Sequence, residues 1–388
     1  MSSTMTQADA PSVIPALSAE DQAFLSQVQD FVENEVLPNT RKWEENLGFP
    51  PDIWTRMGSL GLFRLVVPKA MGGDERSCAV YAEMCRILAQ GDPALAMNVA
   101  AINALCIAHL VHFGTDAQRE KYLDRAMTGE LKLAWGLTEP DAGSDARRVR
   151  TAATQNSDNP EWWTLNGEKM FITNAGLADL IIMIARTGEK ELSAFLVETD
   201  QPGFELIGRI HTIGVRASWT AHFKLNNAQG WHTPCTFDQA TGLLFRGRLG
   251  IAGMALGIAE KAHELSAKYS TERQQFNRRL CDMQSVQNMI ADSELEIEAA
   301  RLLIQKGTAI YDRGQNPVKA ASMAKLYASE TSNRVTNRAI QIHGGRGMTF
   351  DYLVEKLWRD AKLTEIGEGC SEIQRMVIAK QVIRTFES

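Results

Sequence analysis

Hydrophobic positions recur at helical spacing over the first third of the chain. Phe24, Leu25, Val28, Phe31, Val32 and Val36 repeat mostly at intervals of three and four residues, as on the buried face of an amphipathic helix. Ser18 stands three residues before Asp21, which is the spacing of a helix N-cap with an acidic side chain in the first turn. The small and apolar run at 94–109 predicts a helix buried on most sides. We therefore expect a helical domain over residues 18–133.

The pattern changes to short β-rich runs between residues 134 and 240. These runs lie at 162–165, 169–173, 179–185, 193–198 and 222–225. The sequences Asn-Gly, Gly-Leu-Ala-Asp and Gln-Pro-Gly between them are typical of turns, and Asn166-Gly167 is expected to be one of these turns. The segment is therefore predicted to be a small antiparallel β domain.

Helix-forming blocks return from residue 241 to residue 388. They are broken near 277–279, at 314–317, at the Gly344-Gly345 pair and again at 367–369. The order of helical, β-rich and helical segments predicts an α+β protein of three domains.

Composition and charge narrow the function. The 388 residues are 44% hydrophobic and 23% charged, which is ordinary globular composition, and the formal net charge is −6. We expect no nucleic-acid partner, because no basic run is long enough to neutralise a phosphate backbone. We also expect no membrane span, because no consecutive apolar run reaches the roughly eighteen residues that a span requires.

The N-terminus and the cysteines bear on location. Residues 1–17 carry no Arg or Lys and no apolar core, so they resemble neither a secretory signal nor a transit peptide and are expected to form a flexible leader. The six cysteines lie far apart, with no Cys-x-x-Cys pair and no Cys/His cluster at zinc spacing. We therefore expect free thiols in a reducing cytoplasm and no metal site.

Two motifs in the β-rich segment offer polar and aromatic groups to a planar ligand. Leu-Thr-Glu-Pro-Asp-Ala-Gly-Ser-Asp at 137–145 combines hydroxyl groups with open backbone. Taken alone, it is more simply an Asx-type turn that leaves a strand. Phe171 and Thr173 would share one face of a strand, where a flat ring could stack on the first and hydrogen-bond the second. The alternative is a core Phe beside a surface Thr.

Two glycine-containing breaks in the C-terminal segment are further candidates. Gln-Ile-His-Gly-Gly-Arg-Gly at 341–347 is either a helix stop or a backbone surface for a phosphate or adenine. No strand precedes it, so it is not a dinucleotide fingerprint of the GxGxxG type. Glu368 stands between Gly367 and Gly369, whose missing side chains would let a ligand approach the carboxylate as a general base. The alternative is a solvated loop carboxylate just before Ser371 opens the next helix.

In this order and on a chain of this length, these motifs resemble the acyl-CoA dehydrogenase family of flavoproteins. The resemblance runs from about residue 18 to residue 385 and includes Phe-Gly-Thr-Asp-Ala-Gln-Arg-Glu-Lys-Tyr at 113–122, Leu-Asn-Gly-Glu-Lys-Met-Phe-Ile-Thr at 165–173, Arg-Gln-Gln-Phe at 273–276 and Trp-Arg-Asp-Ala-Lys at 358–362. It implies an α+β fold with an N-terminal helical domain at 18–133, a middle antiparallel β domain at 134–240 and a C-terminal four-helix-bundle domain at 241–388. It also implies an FAD-dependent enzyme that dehydrogenates an acyl thioester.

The same resemblance implies which residues hold FAD. Phe171 would lie against the isoalloxazine ring, while Thr138 and Thr173 would hydrogen-bond its polar edge. Arg273, Gln284 and the turn at 341–345 would serve the cofactor of a neighbouring chain, so the protein is expected to be an obligate homo-oligomer, a dimer or a tetramer. The full set of expected FAD contacts is Trp135, Leu137, Thr138, Gly143, Ser144, Phe171, Ile172 and Thr173 from the β domain, and Arg273, Phe276, Gln284, Gln341, Ile342, Gly344, Gly345, Cys370, Ser371 and Glu372 from the C-terminal domain.

Glu368 matches the catalytic base of that family, which takes an α-proton of the thioester while a β-hydrogen leaves as hydride to the flavin. A carboxylate is a weak base for such a carbon acid, so the site must raise its pKa by burial and hydrogen-bond the developing enolate oxygen. In the family those donors are the backbone N–H of the base residue and a flavin hydroxyl. Some relatives carry the base at the position of Gly247, which has no side chain here. Glu368 is therefore the one candidate base.

Several positions depart from the family pattern around the thioester. Phe245 replaces an Asp that is common in members that handle coenzyme A, and Gly367 replaces a bulky Tyr before the base. Cys370 replaces a Thr, Asn277 replaces a Gly, and Trp219 replaces a small residue. The expected substrate contacts are Ser144, Phe245, Arg248, Gly367 and Gly369. These changes predict a reshaped acyl pocket with space beside Glu368.

The leading hypothesis is FAD-dependent α,β-dehydrogenation of a short or branched acyl-CoA thioester, with electrons passed to an electron-transferring flavoprotein or a similar acceptor. Because Phe245 replaces the Asp, the alternative is the same reaction on an acyl group bound to an acyl carrier protein. A flavin monooxygenase or oxidase on the same fold is disfavoured by the retained Glu368. A non-enzymatic assembly factor is disfavoured as well, since it need not keep the base and both halves of the FAD site.

Overall fold

Residues 17–387 are described by a computed structural model, so the leader predicted at 1–17 lies, apart from Leu17, outside the described residues. The N-terminal domain is helical, as expected. Its helices are α1 (Ala19–Phe31), α2 (Leu37–Glu45), α3 (Ile53–Ser59), α4 (Cys78–Gly91), α5 (Pro93–Ala101), α6 (Ala108–Phe113) and α7 (Asp116–Met127). Ser18 caps α1 by accepting a hydrogen bond from the Asp21 backbone N–H. Short π-helical segments, Val32–Val36 and Ile102–Ile107, join α1 to α2 and α5 to α6.

The middle domain is a seven-stranded sheet. Its strands are β1 (Leu133–Gly136), β2 (Ala152–Gln155), β3 (Trp162–Ile172), β4 (Leu180–Arg186), β5 (Leu192–Glu198), β6 (Phe204–Arg209) and β7 (Ala221–Thr233). Their order is β1-β4-β2-β3-β7-β5, with β6 on β7 and a further β4–β5 pairing that closes the sheet into a ring. Most pairings are antiparallel, as predicted, but β1 and β2 run parallel to β4. Parallel pairing needs a connection of about a dozen residues or more. The chain supplies it, because β2 and β3 lie between β1 and β4, and β3 lies between β2 and β4.

The predicted turn at Asn166-Gly167 is wrong. Both residues lie inside the continuous strand β3, whose register with β7 shifts between Leu165 and Gly167. Gly167 has φ +149°, and a Cβ there would come within 2.6 Å of the Thr151 Cα. The Asn-Gly pair therefore marks a β-bulge, which shares its composition with a hairpin turn but keeps the strand running.

The C-terminal domain is a helical bundle, as predicted. Its helices are α8 (Phe237–Gly242), α9 (Leu244–Glu272), α10 (Gln284–Asp312), α11 (Val318–His343), α12 (Val354–Ile366) and α13 (Ser371–Glu387), with a two-stranded hairpin of β8 (Gln274–Gln275) and β9 (Arg278–Arg279) between α9 and α10. Helices α9 to α12 pack as a four-helix bundle, and α13 lies along α11. Helix α9 also packs closely against α4, since a Cβ on Gly253 would lie 2.2 Å from the Ala82 carbonyl oxygen.

Two stretches, Pro93–Phe113 and Phe237–Glu272, are long and apolar enough to cross a membrane by length and composition alone. Both are mostly buried inside the protein, where they pack against neighbouring helices. Their apolar surface is thus accounted for as the core of the fold.

A buried charged cluster joins the three domains next to the base-bearing segment. The Lys356 ammonium on α12 lies 2.6 Å from the Asp360 carboxylate and 3.4 Å from that of Asp92, between α4 and α5. Asp360 also accepts a hydrogen bond from the Val215 N–H of the β domain, at 2.5 Å. Helix α12, which leads directly into Glu368, is therefore fixed to both other domains.

Candidate active site

Glu368 lies in the short segment between α12 and α13. It has φ +54° and is followed by Gly369 with φ +91°. A left-handed glutamate is uncommon, so its conformation must be held by neighbouring groups. Arg248 of α9 faces the Glu368 carbonyl at 3.5 Å, and Lys325 of α11 donates to the Gly369 carbonyl at 2.8 Å. The Gln374 amide of α13 donates to both carbonyls, at 3.3 and 2.9 Å. Three helices thus hold this turn.

The Glu368 carboxylate fits against a gap in α9. A Cβ on Gly247 would lie 2.0 Å from its Oε2 atom. This Oε2 is buried and has no hydrogen-bond partner among residues 17–387. Burial raises the pKa of the Glu368 carboxyl to about 7, although Arg248 and Lys325 act to lower it. Near neutral pH such a group both holds and releases a proton, which suits a general base.

The loop after β1, which carries the 137–145 motif, is held by a buried ion pair that the sequence did not single out. Lys169 of β3 donates to the Leu137 carbonyl at 3.0 Å and to the Glu139 carboxylate at 2.8 Å. Glu139 accepts in turn from the Thr151 N–H at 3.0 Å. The sequence did offer one signal for this pair. The 137–145 and 165–173 segments are both expected to contact FAD, and they carry the opposite charges of Glu139 and Lys169. The pair leaves Gly143 and Ser144 exposed at the surface of the loop.

Phe171 occupies an irregular end of β3. It has φ +59°, its side chain is 55% exposed, and the register with β7 shifts between Lys169 and Ile172. The alternation expected to place Phe171 and Thr173 on one face assumes a regular strand, so that argument does not apply here. Ile172 is buried in the core of the β domain, which leaves only its backbone for a ligand. The exposed ring of Phe171 itself remains a surface for stacking.

The structure brings the β-domain loop to the base segment. The Ser144 Oγ lies 3.7 Å from the Cys370 Sγ, so two motifs 226 residues apart in sequence meet. Within the described part of the chain, Trp135 Nε1 and Ser371 Oγ are buried without a hydrogen-bond partner. Glu372, by contrast, faces solvent at the start of α13. Unpartnered polar atoms, open loop backbone and an exposed aromatic ring are the groups that a flavin ring and its polar edge require.

Other expected FAD contacts lie far from this place in the same chain. Arg273 follows the last residue of α9, 26 residues beyond Gly247, which is about 39 Å along a helix. Phe276 is 89% exposed in the adjoining hairpin, and Gln284 begins α10. Gln341, Gly344 and Gly345 are exposed at the end of α11, while the side chain of Ile342 is buried. These residues belong to a different surface of the subunit.

The expected substrate contacts divide into two groups. Arg248 is buried, and its guanidinium lies over the Phe245 ring, 5.3 Å from the centroid. Because Arg248 also faces the Glu368 carbonyl, both residues lie next to the Glu368 segment. Gly367 could carry a Cβ without a clash, because the three nearest atoms to it would all belong to Leu363, at 3.5–3.8 Å. Trp219 is not among these nearest neighbours. Its ring packs where a side chain on Gly176 would stand, at 1.6 Å, within the β domain.

A helical, β and helical chain with a buried glutamate next to a flavin-compatible loop defines a flavin-dependent dehydrogenase. Models of the acyl-CoA dehydrogenase N-terminal, middle and C-terminal domains match residues 18–130, 134–228 and 237–383. The chain belongs to the acyl-CoA dehydrogenase family, and it is an FAD-dependent acyl-CoA dehydrogenase.

Relatives of known name support this assignment over the whole length. The probable acyl-CoA dehydrogenase YngJ of Bacillus subtilis (strain 168) is 37% identical over 379 residues, covering 95% of this chain and 99% of that protein. The caffeyl-CoA reductase-Etf complex subunit CarC of Acetobacterium woodii is 34% identical over 378 residues, covering 95% and 99%. The solved structure of butyryl-CoA dehydrogenase from Megasphaera elsdenii superposes with a TM-score of 0.91 at 34% identity, covering 95% of this chain and 99% of that one.

Proposed function

We propose that the chain dehydrogenates a short or branched acyl-CoA thioester between Cα and Cβ, with Glu368 as the base that removes the α-proton. The observation that carries this proposal is the buried Glu368 carboxylate, seated against Gly247 with its pKa raised to about 7. FAD, when bound, supplies the acceptor for the hydride. No described residue accepts a hydrogen bond from the Glu368 N–H, which leaves that donor for the enolate oxygen of the thioester.

The missing side chain at Gly367 favours a substrate of modest size or with a branch. Interiors are close-packed, so an acyl group is a suitable occupant where a bulky side chain is missing. A short acyl chain agrees with the name of the structurally similar butyryl-CoA dehydrogenase. An acyl group on a carrier protein is the second candidate, because Phe245 offers no carboxylate to the pantetheine arm of coenzyme A.

The FAD would be held by residues of two subunits. Trp135, Thr138, Phe171 and Thr173 would contact it from the β domain, together with Ser144 and the 370–372 segment. Arg273 and its neighbours would reach the cofactor of a second copy. Exposed apolar side chains on α10 and α13 favour such an assembly: Leu295 is 72% exposed and Met376 is 66% exposed. We infer that an electron-transferring flavoprotein reoxidises the enzyme, as the Etf complex in the name of the CarC relative suggests.

Replacing Glu368 by Gln tests the base directly. The amide keeps the shape of the side chain but cannot take a proton, so flavin reduction by thioester should fall by about 10²–10⁴-fold or more. The measurement is anaerobic loss of oxidised flavin absorbance on mixing with butyryl-CoA. FAD content and thioester binding, measured on the same preparation, should stay near those of the wild type. Bleaching of Glu368→Gln at the wild-type rate would exclude Glu368 as the base.

The thioester carrier is decided by a paired comparison. Wild-type protein is mixed anaerobically with straight and branched short acyl groups, each presented on coenzyme A and on acyl carrier protein. We expect the coenzyme A thioesters to bleach the flavin faster. If only the carrier-loaded forms reduce the flavin, the substrate is an acyl group bound to acyl carrier protein, and the proposed role of Glu368 is unchanged.

A further inference from the structure

Lys325 differs from the other fully buried lysines of the described chain. Lys169 forms an ion pair with Glu139, and Lys356 lies between Asp92 and Asp360. Lys325 is equally buried in the middle of α11, yet no carboxylate among residues 17–387 lies within ion-pair distance of its ammonium. An ammonium that is buried without an ion-pair partner is costly to the fold, so its retention calls for a reason.

The contacts of Lys325 lead to the base. Its Nζ donates to the Gly369 carbonyl at 2.8 Å, within the left-handed turn that begins at Glu368. Burial lowers the pKa of the Lys325 ammonium to about 8, and the Glu368 carboxylate opposes that effect more than any other charge. The ammonium and the base carboxylate thus stabilise each other's charged forms across the turn.

Other ionisable groups also lie near Glu368 and Lys325 and could affect their charges. Arg248 on α9 is the second cation, facing the Glu368 carbonyl. Tyr81 and Cys85 face the site from α4, but burial raises the pKa of both groups, so they are uncharged near neutral pH. Cys370 in the turn and Glu365 on α12 affect the pKa of Lys325 less than Glu368 and Arg248 do. The ionisation of Glu368 is therefore set by its burial against two cations.

We propose that Lys325 is a positioning residue for the Glu368 base, which holds the left-handed turn through the Gly369 carbonyl and keeps the carboxylate ionised at neutral pH. This inference rests on the proposed function of Glu368. It gives the buried lysine two separable effects, one geometric and one electrostatic. The geometric effect changes the rate at every pH, whereas the electrostatic effect changes the pH at which the base becomes active.

The electrostatic effect has a definite sign. A base works in its deprotonated form, so flavin reduction falls as the pH drops below the pKa of Glu368. Removing the positive charge of Lys325 raises that pKa and moves the acidic limb of the rate profile to higher pH, by about one unit, which is the low end of the effect of a neighbouring opposite charge. A variant without the charge should therefore lose about tenfold more rate near pH 6 than at high pH, where only the geometric loss remains.

The test compares Lys325→Gln, Lys325→Met and Lys325→Arg with the matched control Lys319→Met, an exposed lysine on the same helix. The measurement is the pH dependence of anaerobic flavin reduction by butyryl-CoA. The two uncharged variants should shift the acidic limb upward, whereas Lys325→Arg should keep its midpoint while lowering the maximal rate. Lys319→Met should follow the wild type. A loss that is equal at every pH in Lys325→Gln and Lys325→Met would show a structural role alone and overturn the proposal.

A second measurement needs no substrate. Infrared difference titration follows the carbonyl band of the protonated Glu368 carboxyl, which is assigned by its absence from Glu368→Gln. The band should persist to higher pH in Lys325→Gln than in the wild type, and an unchanged midpoint would contradict the inference even if Lys325→Met does not fold. If no thioester bleaches the wild-type flavin, the proposed function fails, while this titration still decides the role of Lys325.

Discussion

Gly247 has no side chain, and this leaves room on α9 for the Glu368 carboxylate. Its position on α9 is occupied by the Glu368 carboxylate, because a Cβ there would lie 2.0 Å from Oε2. We predict that Gly247→Ala displaces the carboxylate and lowers the rate of flavin reduction by about 10²-fold, the usual effect of misplacing a catalytic group by an ångström. Stopped-flow bleaching by butyryl-CoA measures this, with FAD content as the check on folding.

The matched control for that substitution is Gly242→Ala at the end of α8. A Cβ on Gly242 would meet no atom within 4 Å, so this variant should reduce its flavin at the wild-type rate. If Gly247→Ala were equally active, the carboxylate would have another place to sit, and the gap in α9 would be irrelevant to catalysis.

Gly367 bears on specificity instead of rate. The missing side chain predicts that Gly367→Tyr lowers kcat/KM for a branched acyl-CoA more than for a straight one, by about 1–3 kcal/mol where the ring overlaps one or two methyl groups. Steady-state kinetics with isobutyryl-CoA and butyryl-CoA measure the difference, and Gly367→Ala is the control of smaller volume. Equal losses on both substrates would mean that protein or water fills the space.

At the scale of elements, the link between β1 and β3 determines whether the flavin loop keeps its shape. Lys169→Met would leave Glu139 charged and unpaired in the interior, and breaking a buried pair costs about 3–5 kcal/mol. We expect a lower Tm and loss of FAD on gel filtration. The double variant Lys169→Met/Glu139→Gln should recover part of both. Lys190→Met, at an exposed turn, should change neither. Full FAD retention in Lys169→Met would show that the loop is held by other contacts.

The elements themselves were largely predictable, because each depends on local pattern. The periodicity of Phe24 to Val36, the Ser18 cap and the helix break around Glu368 are all visible in one stretch of sequence and appear in the structure. The bulge at Asn166-Gly167 was missed, since the same pair suits a turn. Lys169 and Lys325 were missed for another reason: a lysine is ordinarily a surface residue, and only the tertiary fold shows which carbonyls surround it.

At the scale of the whole molecule, the long α9 separates the two groups of residues that we propose to hold FAD. Arg273 lies about 39 Å along the helix from Gly247, so it cannot serve the base site of its own chain. We predict that Arg273→Ala weakens FAD retention without lowering helix content. FAD per chain after extensive dilution and circular dichroism measure the two quantities. Unchanged FAD affinity would contradict the assignment to a neighbouring subunit.

Mixing Arg273→Ala and Glu368→Gln chains tests whether two subunits contribute to one site. In a hetero-oligomer of Arg273→Ala and Glu368→Gln chains, one kind of site combines both defects and the other combines an intact Glu368 with an intact Arg273. Reassociation after mild dissociation, at an FAD concentration too low to saturate Arg273→Ala, should therefore raise flavin reduction above that of either variant alone. If no activity returns although mixed oligomers form, each chain completes its own site.

The buried cluster of Lys356, Asp92, Asp360 and the Val215 N–H has a consequence for how such a chain can be recombined. Lys356 and Asp360 form an ion pair within the C-terminal domain, the N-terminal domain adds the Asp92 carboxylate to the same ammonium, and the β domain adds a backbone donor to Asp360. A chimera that takes its helical N-terminus from a relative without the Asp92 carboxylate would keep the Lys356–Asp360 pair but lose the second ion-pair partner of the buried ammonium, against a total stability of only about 5–15 kcal/mol. The N-terminal and C-terminal helices also share one hydrophobic core, so we expect these domains to be exchanged between relatives more successfully together than singly.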